Sequence, residues 1–253
     1  MNDSLNPYQA PLAIDPSEPA EDLSWDPERF TTARRGLMTI YACLLVFSFV
    51  FLCSLVGSIL MGTMGSPVAF GFVLIVFTLA IVGNFLGIFI GLLMCGSVPR
   101  ESRAAEMSRL AAIMQATIFV VLILGSRWNP APGLSLIALV LRQLPILLGG
   151  GAAICFAIYL RRLNQFLRQR AAERSARILL WLVVANLVCY VLIGMVLPWV
   201  MLSLFPNRSV SFAVMGIPGL VLSLLLLVTY IKYASLVRLT ARTIERGSIR
   251  YAG

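Results

Sequence analysis

The chain has 253 residues, of which 59% are hydrophobic and 12% are charged, and its mean hydropathy of +0.91 lies far from that of an average soluble domain. Histidine is absent, which excludes zinc sites of the H-E-x-x-H type and catalytic Ser–His pairs. The net charge of +9 is unevenly distributed, because residues 1–30 carry seven acids and one base, whereas the rest of the chain carries four acids and 19 bases.

The acidic start of the chain also contains five prolines and few large apolar residues. A segment of this composition cannot bury enough apolar surface to offset the entropy of ordering. We therefore expect residues 1–30 to form a disordered cytoplasmic tail, followed by a membrane domain over residues 31–253.

Two short segments resemble a known group of proteins. Residues 6–11 read NPYQAP, and residues 159–163, which leave an apolar stretch, read YLRRL. They resemble the NPYQ-S/A-P opening and the aromatic-Leu-Arg-Arg-Leu segment of uncharacterised multi-span membrane proteins from planctomycete bacteria. The match covers about 11 residues. The resemblance implies a multi-span protein of the bacterial inner membrane and transfers no functional residue.

Six long apolar stretches follow the tail. Each approaches or exceeds the roughly 20 residues that a helix needs to cross the bilayer, and each is continuous rather than alternating. The sequence therefore predicts an all-α bundle of six transmembrane helices arranged as three hairpins. The stretches begin near Gly36, Val68, Leu110, Leu144, Ile178 and Phe212.

The basic residues predict the orientation of these helices. Sixteen of the 19 bases after residue 30 lie in four clusters on one side of the six stretches, and only Arg127, Arg142 and Arg208 lie in the alternate loops. Lys and Arg in short loops remain in the cytoplasm, so we expect a multi-pass protein of the cell membrane with both termini cytoplasmic. Anionic lipid headgroups account for the basic face without nucleic acid.

Small residues recur every four positions on two of the helices. The second helix carries Gly83, Gly87 and Gly91, and the fourth carries Gly149, Ala153 and Ala157 at the same spacing. Such stripes let helix backbones approach closely, so we expect helix packing. A narrow channel lined by glycine backbone is the alternative.

Few polar residues interrupt the apolar stretches. Asn84, Gln115 and Asn186 are expected to form hydrogen bonds between helices or, together with Arg142, to line a polar cavity. No acidic residue lies in a span, which argues against proton-coupled or cation-coupled transport. Arg142 is expected at the outer boundary of the membrane, because Pro145 suits the first turn of a span that begins at Leu144. One helix running from residue 134 to residue 160 is the competing interpretation.

A hexamer also occurs twice, as RAAEMS over residues 103–108 and as RAAERS 67 residues later. It indicates either duplication of a hairpin or a generic helix start.

The sequence contains no motif of a membrane enzyme. No Asp occurs after Asp26 and no phosphate-binding loop is present, so we expect no catalysis, cofactor or metal. The favoured interpretation is an accessory, scaffold or regulatory protein, whose extended cytoplasmic helix ends (stalks) contact a protein partner. The alternative is a transporter or channel-like module for a small uncharged or anionic solute. A cavity between Asn84, Gln115 and Asn186 would favour transport, and a dry, fully packed bundle would favour the scaffold.

Overall fold

A computed structural model describes residues 27–64, 67–99, 102–127, 135–196 and 208–251 of the chain. These residues contain six helices and no strand, so the predicted all-α bundle is confirmed. The predicted tail lies largely outside them, over residues 1–26. The helices are α1 (Pro27–Met64), α2 (Pro67–Cys95), α3 (Ala104–Arg127), α4 (Ser135–Phe166), α5 (Arg170–Tyr190) and α6 (Arg208–Tyr251).

The helices are long and apolar enough to cross a membrane. Five of them contain such a segment within the described residues, and the described part of α2 adds a shorter one over Ile81–Cys95. Their outward faces carry large apolar side chains, including Phe49 at 70% exposure and Trp181 at 69%. A soluble monomer rarely exposes a continuous apolar belt, whereas lipid solvates it. The chain is a multi-pass helical membrane protein.

The six helices close into a ring. Each packs against its neighbours in the chain, and α6 returns to α1, so the three predicted hairpins are joined rather than separate. Arg34 Nη2 lies 2.7 Å from Glu245 Oε1 across the closing contact. The rings of Phe47 and Tyr230 meet farther along the same pair of helices, with centroids 4.8 Å apart.

One half of the ring is tightly packed. Here α1, α3 and α5 begin and α2, α4 and α6 end, and the predicted basic clusters lie at this end, which we call the basic end. Its core contains the largest fully buried side chains, among them Phe30, Leu37, Tyr159, Leu160 and Leu163. The ends of α4 and α6 that were expected to project as stalks therefore bury their apolar faces against each other and the bundle.

Two features of the basic end depart from the sequence-based boundaries. α1 begins at Pro27 rather than after residue 30, and Phe30 is 1% exposed and stacks with Phe166 at a centroid distance of 6.4 Å. α4 and α5 are joined by a turn over residues 167–169, in which Arg168 has a φ of 54°.

The expected start of the fourth helix is wrong. α4 begins at Ser135 and continues through Pro145 without a break, so this proline lies inside the helix rather than in its first turn. The competing interpretation of one long helix is closer to the structure. The backbone of Arg142 belongs to α4. Its side chain lies outside the described part of the structure.

The two copies of the repeated hexamer have different environments. Ser108, in the first copy, is fully buried and its hydroxyl donates to the carbonyl of Leu92 in α2 at 2.6 Å. Ser175, its counterpart, is exposed and donates to Ala171 within its own helix. The hexamer thus begins a helix in both places without creating equivalent packing.

Candidate functional site

The ring encloses a central cavity of about 540 Å³, to which all six helices contribute. Three of the predicted polar residues, Asn84 of α2, Gln115 of α3 and Asn186 of α5, line it together. The two small residues Gly149 and Ala153 of α4 line it as well. Asn84 and Asn186, which are 102 positions apart in the sequence, thus lie at the same cavity.

The cavity wall is mostly apolar. Side chains of Ile, Leu, Val and Phe form most of it, and among its described residues none is Lys, Arg, Asp or Glu. Amides and hydroxyls supply the few polar groups, which are Asn84, Gln115, Asn186, Tyr190, Ser223, Thr229, Tyr230 and Tyr233.

Stacked aromatic rings close the cavity toward the basic end. Phe156 and Tyr233 line the cavity, and their rings stack with centroids 5.7 Å apart. Phe156 also stacks with the fully buried Tyr159 at 5.3 Å. The hydroxyl of Tyr233 donates to the carbonyl of Ala153 at 2.8 Å, which links α6 to α4. This floor separates the cavity from the packed half of the ring.

Three consecutive glycines in α4 provide both contact and space. A Cβ at Gly150 would lie 2.6 Å from Leu187 Cδ1 of α5, and one at Gly151 would lie 3.2 Å from Met114 Sδ of α3. These two positions therefore allow close approach of neighbouring helices. Gly149 and Gly150 both line the cavity, but a Cβ at Gly149 would meet only Ile118 Cδ1, at an ordinary 3.8 Å.

Asn186 makes a hydrogen-bonded bridge to α6 at the cavity wall. Its Nδ2 donates to Thr229 Oγ1 and lies 3.4 Å from the carbonyl oxygen of Leu225. The hydroxyl of Thr229 donates in turn to the Leu225 carbonyl at 2.9 Å. Asn186 is 7% exposed, yet its Oδ1 has no hydrogen-bond partner among the described residues.

A second asparagine–threonine bridge joins α4 to the same face of α6 at the basic end. Asn164 Nδ2 donates to the carbonyl of Leu160 at 2.8 Å and to Thr240 Oγ1 at 3.0 Å, and both residues are fully buried. Thr240 Oγ1 also lies 3.4 Å from Asn164 Oδ1, but its hydroxyl donates to the carbonyl of Leu236 at the shorter distance of 3.0 Å. The two bridges therefore share one pattern, in which the threonine hydroxyl donates to the carbonyl four residues earlier and accepts from the asparagine amide.

Asn84 provides another unused acceptor. Its Oδ1 is buried and has no hydrogen-bond partner in the described part of the chain. A buried polar group without a partner costs about 1–3 kcal/mol, and hydrocarbon offers no water to satisfy it. Two residues of one cavity wall thus carry a buried amide oxygen without a partner among the described residues.

The predicted packing glycines of α2 divide into two groups. A Cβ at Gly91 would lie 2.5 Å from Ile40 Cγ1 and 2.9 Å from the carbonyl oxygen of Gly36, both in α1, and a Cβ at Gly87 would collide with Cys43 Sγ. Gly83, in contrast, is exposed and a Cβ there would meet nothing within 4 Å. The close approach of α1 and α2 is thus concentrated at Gly87 and Gly91.

The sequence signalled some of the remaining residues around the site and missed others. Ala157, which was expected to pack against a neighbouring helix, is fully buried. Gly36, Phe156 and Thr229 were not identified, although Thr229 and Thr240 are 11 residues apart and so share one face of α6. That spacing, matched with asparagines on other helices, is the signal that could have identified the two bridges.

No protein-family model, curated protein or solved structure matches this chain.

Proposed function

We propose that the protein is a membrane transport module that binds a small, uncharged and largely apolar solute in the central cavity. The observation that carries this proposal is the convergence of Asn84, Gln115 and Asn186 on one cavity of about 540 Å³. Small-molecule sites typically enclose about 300–1,000 Å³ and combine an apolar wall with a few placed polar groups. The cavity has both properties.

The scaffold interpretation has less support. It requires a bundle that is dry and packed along its whole length. The basic half of the ring meets this requirement, since Tyr159, Leu163 and Val237 have no exposed surface. Residues beyond this packed half line a partly open cavity instead, which favours the transport interpretation.

The charge of the wall restricts the solute. An ion brought into the cavity would lose its hydration without meeting an opposite charge on any described lining residue. The effective desolvation penalty of a buried ion is several kcal/mol. The solute is therefore uncharged in this proposal, and the anionic solutes that the sequence analysis also allowed are excluded.

Orientation and lipid contacts complete the proposal. We place the basic end in the cytoplasm, because Lys and Arg resist translocation during insertion. Exposed arginines there, such as Arg35, Arg170 and Arg174, would face the anionic headgroups of the inner leaflet.

A pair of glycine substitutions tests the proposed binding function. Gly149→Leu places a side chain at the cavity wall, whereas Gly83→Leu places the same side chain in open space on the outside of the ring. The wild-type protein and both variants are purified from native membranes, and the retained small molecules are extracted and identified by mass spectrometry. We expect a molecule that accompanies the wild type and Gly83→Leu but is lost from Gly149→Leu. Identical extracts from all three proteins would contradict the proposal.

A further inference from the structure

The outer side of the contact between α1 and α6, which we call the outer seam, carries two charged contacts at the basic end. Arg34 Nη2 of α1 lies 2.7 Å from Glu245 Oε1 of α6, and both side chains are partly exposed. The guanidinium of Arg238 lies over the ring of Tyr41, 5.8 Å from its centroid. The two contacts are seven residues apart on each helix, so they lie on one face of the antiparallel pair, about 10 Å apart along it.

Two arginines of the outer seam have no acidic partner among the described residues. Arg242 lies one turn beyond Arg238 on α6, and both are exposed. The ion pairs described at the basic end engage other arginines. The face of Tyr41 attracts the charge of Arg238 without accepting from its N–H groups, which therefore remain able to bind an anion.

Exposed apolar side chains continue the same faces of the two helices away from the basic end. Leu45 and Phe49 follow Tyr41 at intervals of four residues on α1, and Ile231 precedes Arg238 by seven residues on α6. These three apolar side chains are between 46% and 70% exposed. The outer seam thus presents positive charge and then an apolar surface, in the order in which a phospholipid presents its phosphate and its acyl chains.

We infer that the outer seam binds one anionic phospholipid, whose phosphate is held by Arg238 and Arg242 and whose acyl chains lie along α1 and α6. Arginine suits this role because its planar fork of N–H groups matches the oxygens of a phosphate. The inference goes beyond the proposed function. The same two helices line the solute cavity on their inner side, through residues such as Phe47 and Tyr230, whereas the lipid site lies on the outside.

Binding of two lipids with identical acyl chains tests this inference. The delipidated full-length protein in detergent is titrated with dioleoyl phosphatidylglycerol or dioleoyl phosphatidylcholine, and native mass spectrometry gives the dissociation constant of the first lipid bound. We expect the wild type to prefer phosphatidylglycerol about 25-fold, since each arginine beside an anionic lipid contributes about fivefold. Arg238→Gln and Arg242→Gln should each reduce the preference to about fivefold, and the double variant should abolish it.

Two exposed arginines of α5 provide a matched control. Arg170 and Arg174 are also four residues apart at the basic end, but neither lies over an aromatic ring of the described residues. Replacing both with Gln removes the same charge as the double variant of α6 and should leave the preference unchanged. An equal loss of preference in the two double variants would show a diffuse attraction to the basic end, and the inference would be wrong.

Two further results would also overturn the lipid site. Glycerol 1-phosphate lacks acyl chains and should not displace phosphatidylglycerol even in large excess, so displacement would indicate a site for free phosphate instead. Equal binding of the two lipids by the wild type would contradict the inference as well, and would be expected if the acidic residues before α1 occupied the arginines. Gly149→Leu alters the cavity wall and should leave the lipid preference unchanged, which separates this test from that of the proposed function.

Discussion

At the scale of single residues, the same residue type serves different ends according to what surrounds it. Asn164 and Asn186 each donate to a threonine of α6 whose own hydroxyl donates to the carbonyl four residues earlier. Asn164 is fully buried in the packed basic end. Asn186 is 7% exposed and lines the cavity, and its Oδ1 has no partner among the described residues.

Glycines show a comparable division. Gly36 and Gly91 form a close backbone contact between α1 and α2, because a Cβ at Gly36 would lie 2.6 Å from the carbonyl oxygen of Gly91 and 2.8 Å from Met94 Cβ. Backbone atoms cannot move aside as a flexible side chain can. The absence of both side chains therefore permits this contact.

Gly36→Ala should consequently destabilise the protein, by about 1–3 kcal/mol as is usual for overpacking. Thermal unfolding in detergent measures the loss, and Gly83→Ala, at a position with nothing within 4 Å, is the control and should unfold at the wild-type temperature. Equal unfolding temperatures for Gly36→Ala and the wild type would show that α1 and α2 are farther apart than described.

At the scale of helices, the sequence predicted the number of helices correctly and their first residues less well. Continuous apolar stretches predict spans because lipid requires every backbone polar group to be paired within the helix. Proline, in contrast, expresses only a local preference. Pro145 was expected in the first turn of a helix, yet the helix continues on both sides of it.

Pro145→Ala distinguishes the two placements of this residue. Proline inside a helix removes one backbone hydrogen bond and costs about 3 kcal/mol relative to alanine, whereas proline in the first turn costs little. With α4 continuous from Ser135, the alanine variant should unfold at a higher temperature than the wild type. A lower unfolding temperature would restore the interpretation in which the helix begins at Leu144.

The candidate site could be predicted only in part, for a physical reason. Asn84, Gln115 and Asn186 were recognisable because polar side chains are costly inside a membrane. Their meeting at one cavity depends on how the helices rotate and close into a ring, which a pattern along one helix does not specify. Gly36 was missed for the same reason, since its role exists only opposite Gly91.

At the scale of the whole molecule, the described residues combine a packed basic end with a cavity next to it. Ion pairing contributes little to the basic end, as its pairs are partly exposed. Arg34 and Glu245 are 39% and 44% exposed, and pairs of this kind are worth about 0–1 kcal/mol. Buried aromatic and aliphatic side chains hold the basic end together and leave the cavity open beyond them.

The distribution of bases predicts the orientation of the ring. Reporter fusions after Arg168, in the turn between α4 and α5, should read cytoplasmic, and fusions after Asn207, before α6, should read external. Both fusions reading on the same side would be incompatible with the six-helix topology.

Chemical accessibility tests the central claim, a cavity among the six helices, most directly. Asn186→Cys and Asn164→Cys are prepared separately in a chain without its native cysteines, and the solubilised proteins are treated with a small methanethiosulfonate reagent. Both positions are buried, at 7% and 0% exposure, but only position 186 lines the cavity. The thiol introduced at position 186 should react while the one at position 164 is protected. Equal protection of both thiols would contradict the existence of an accessible cavity.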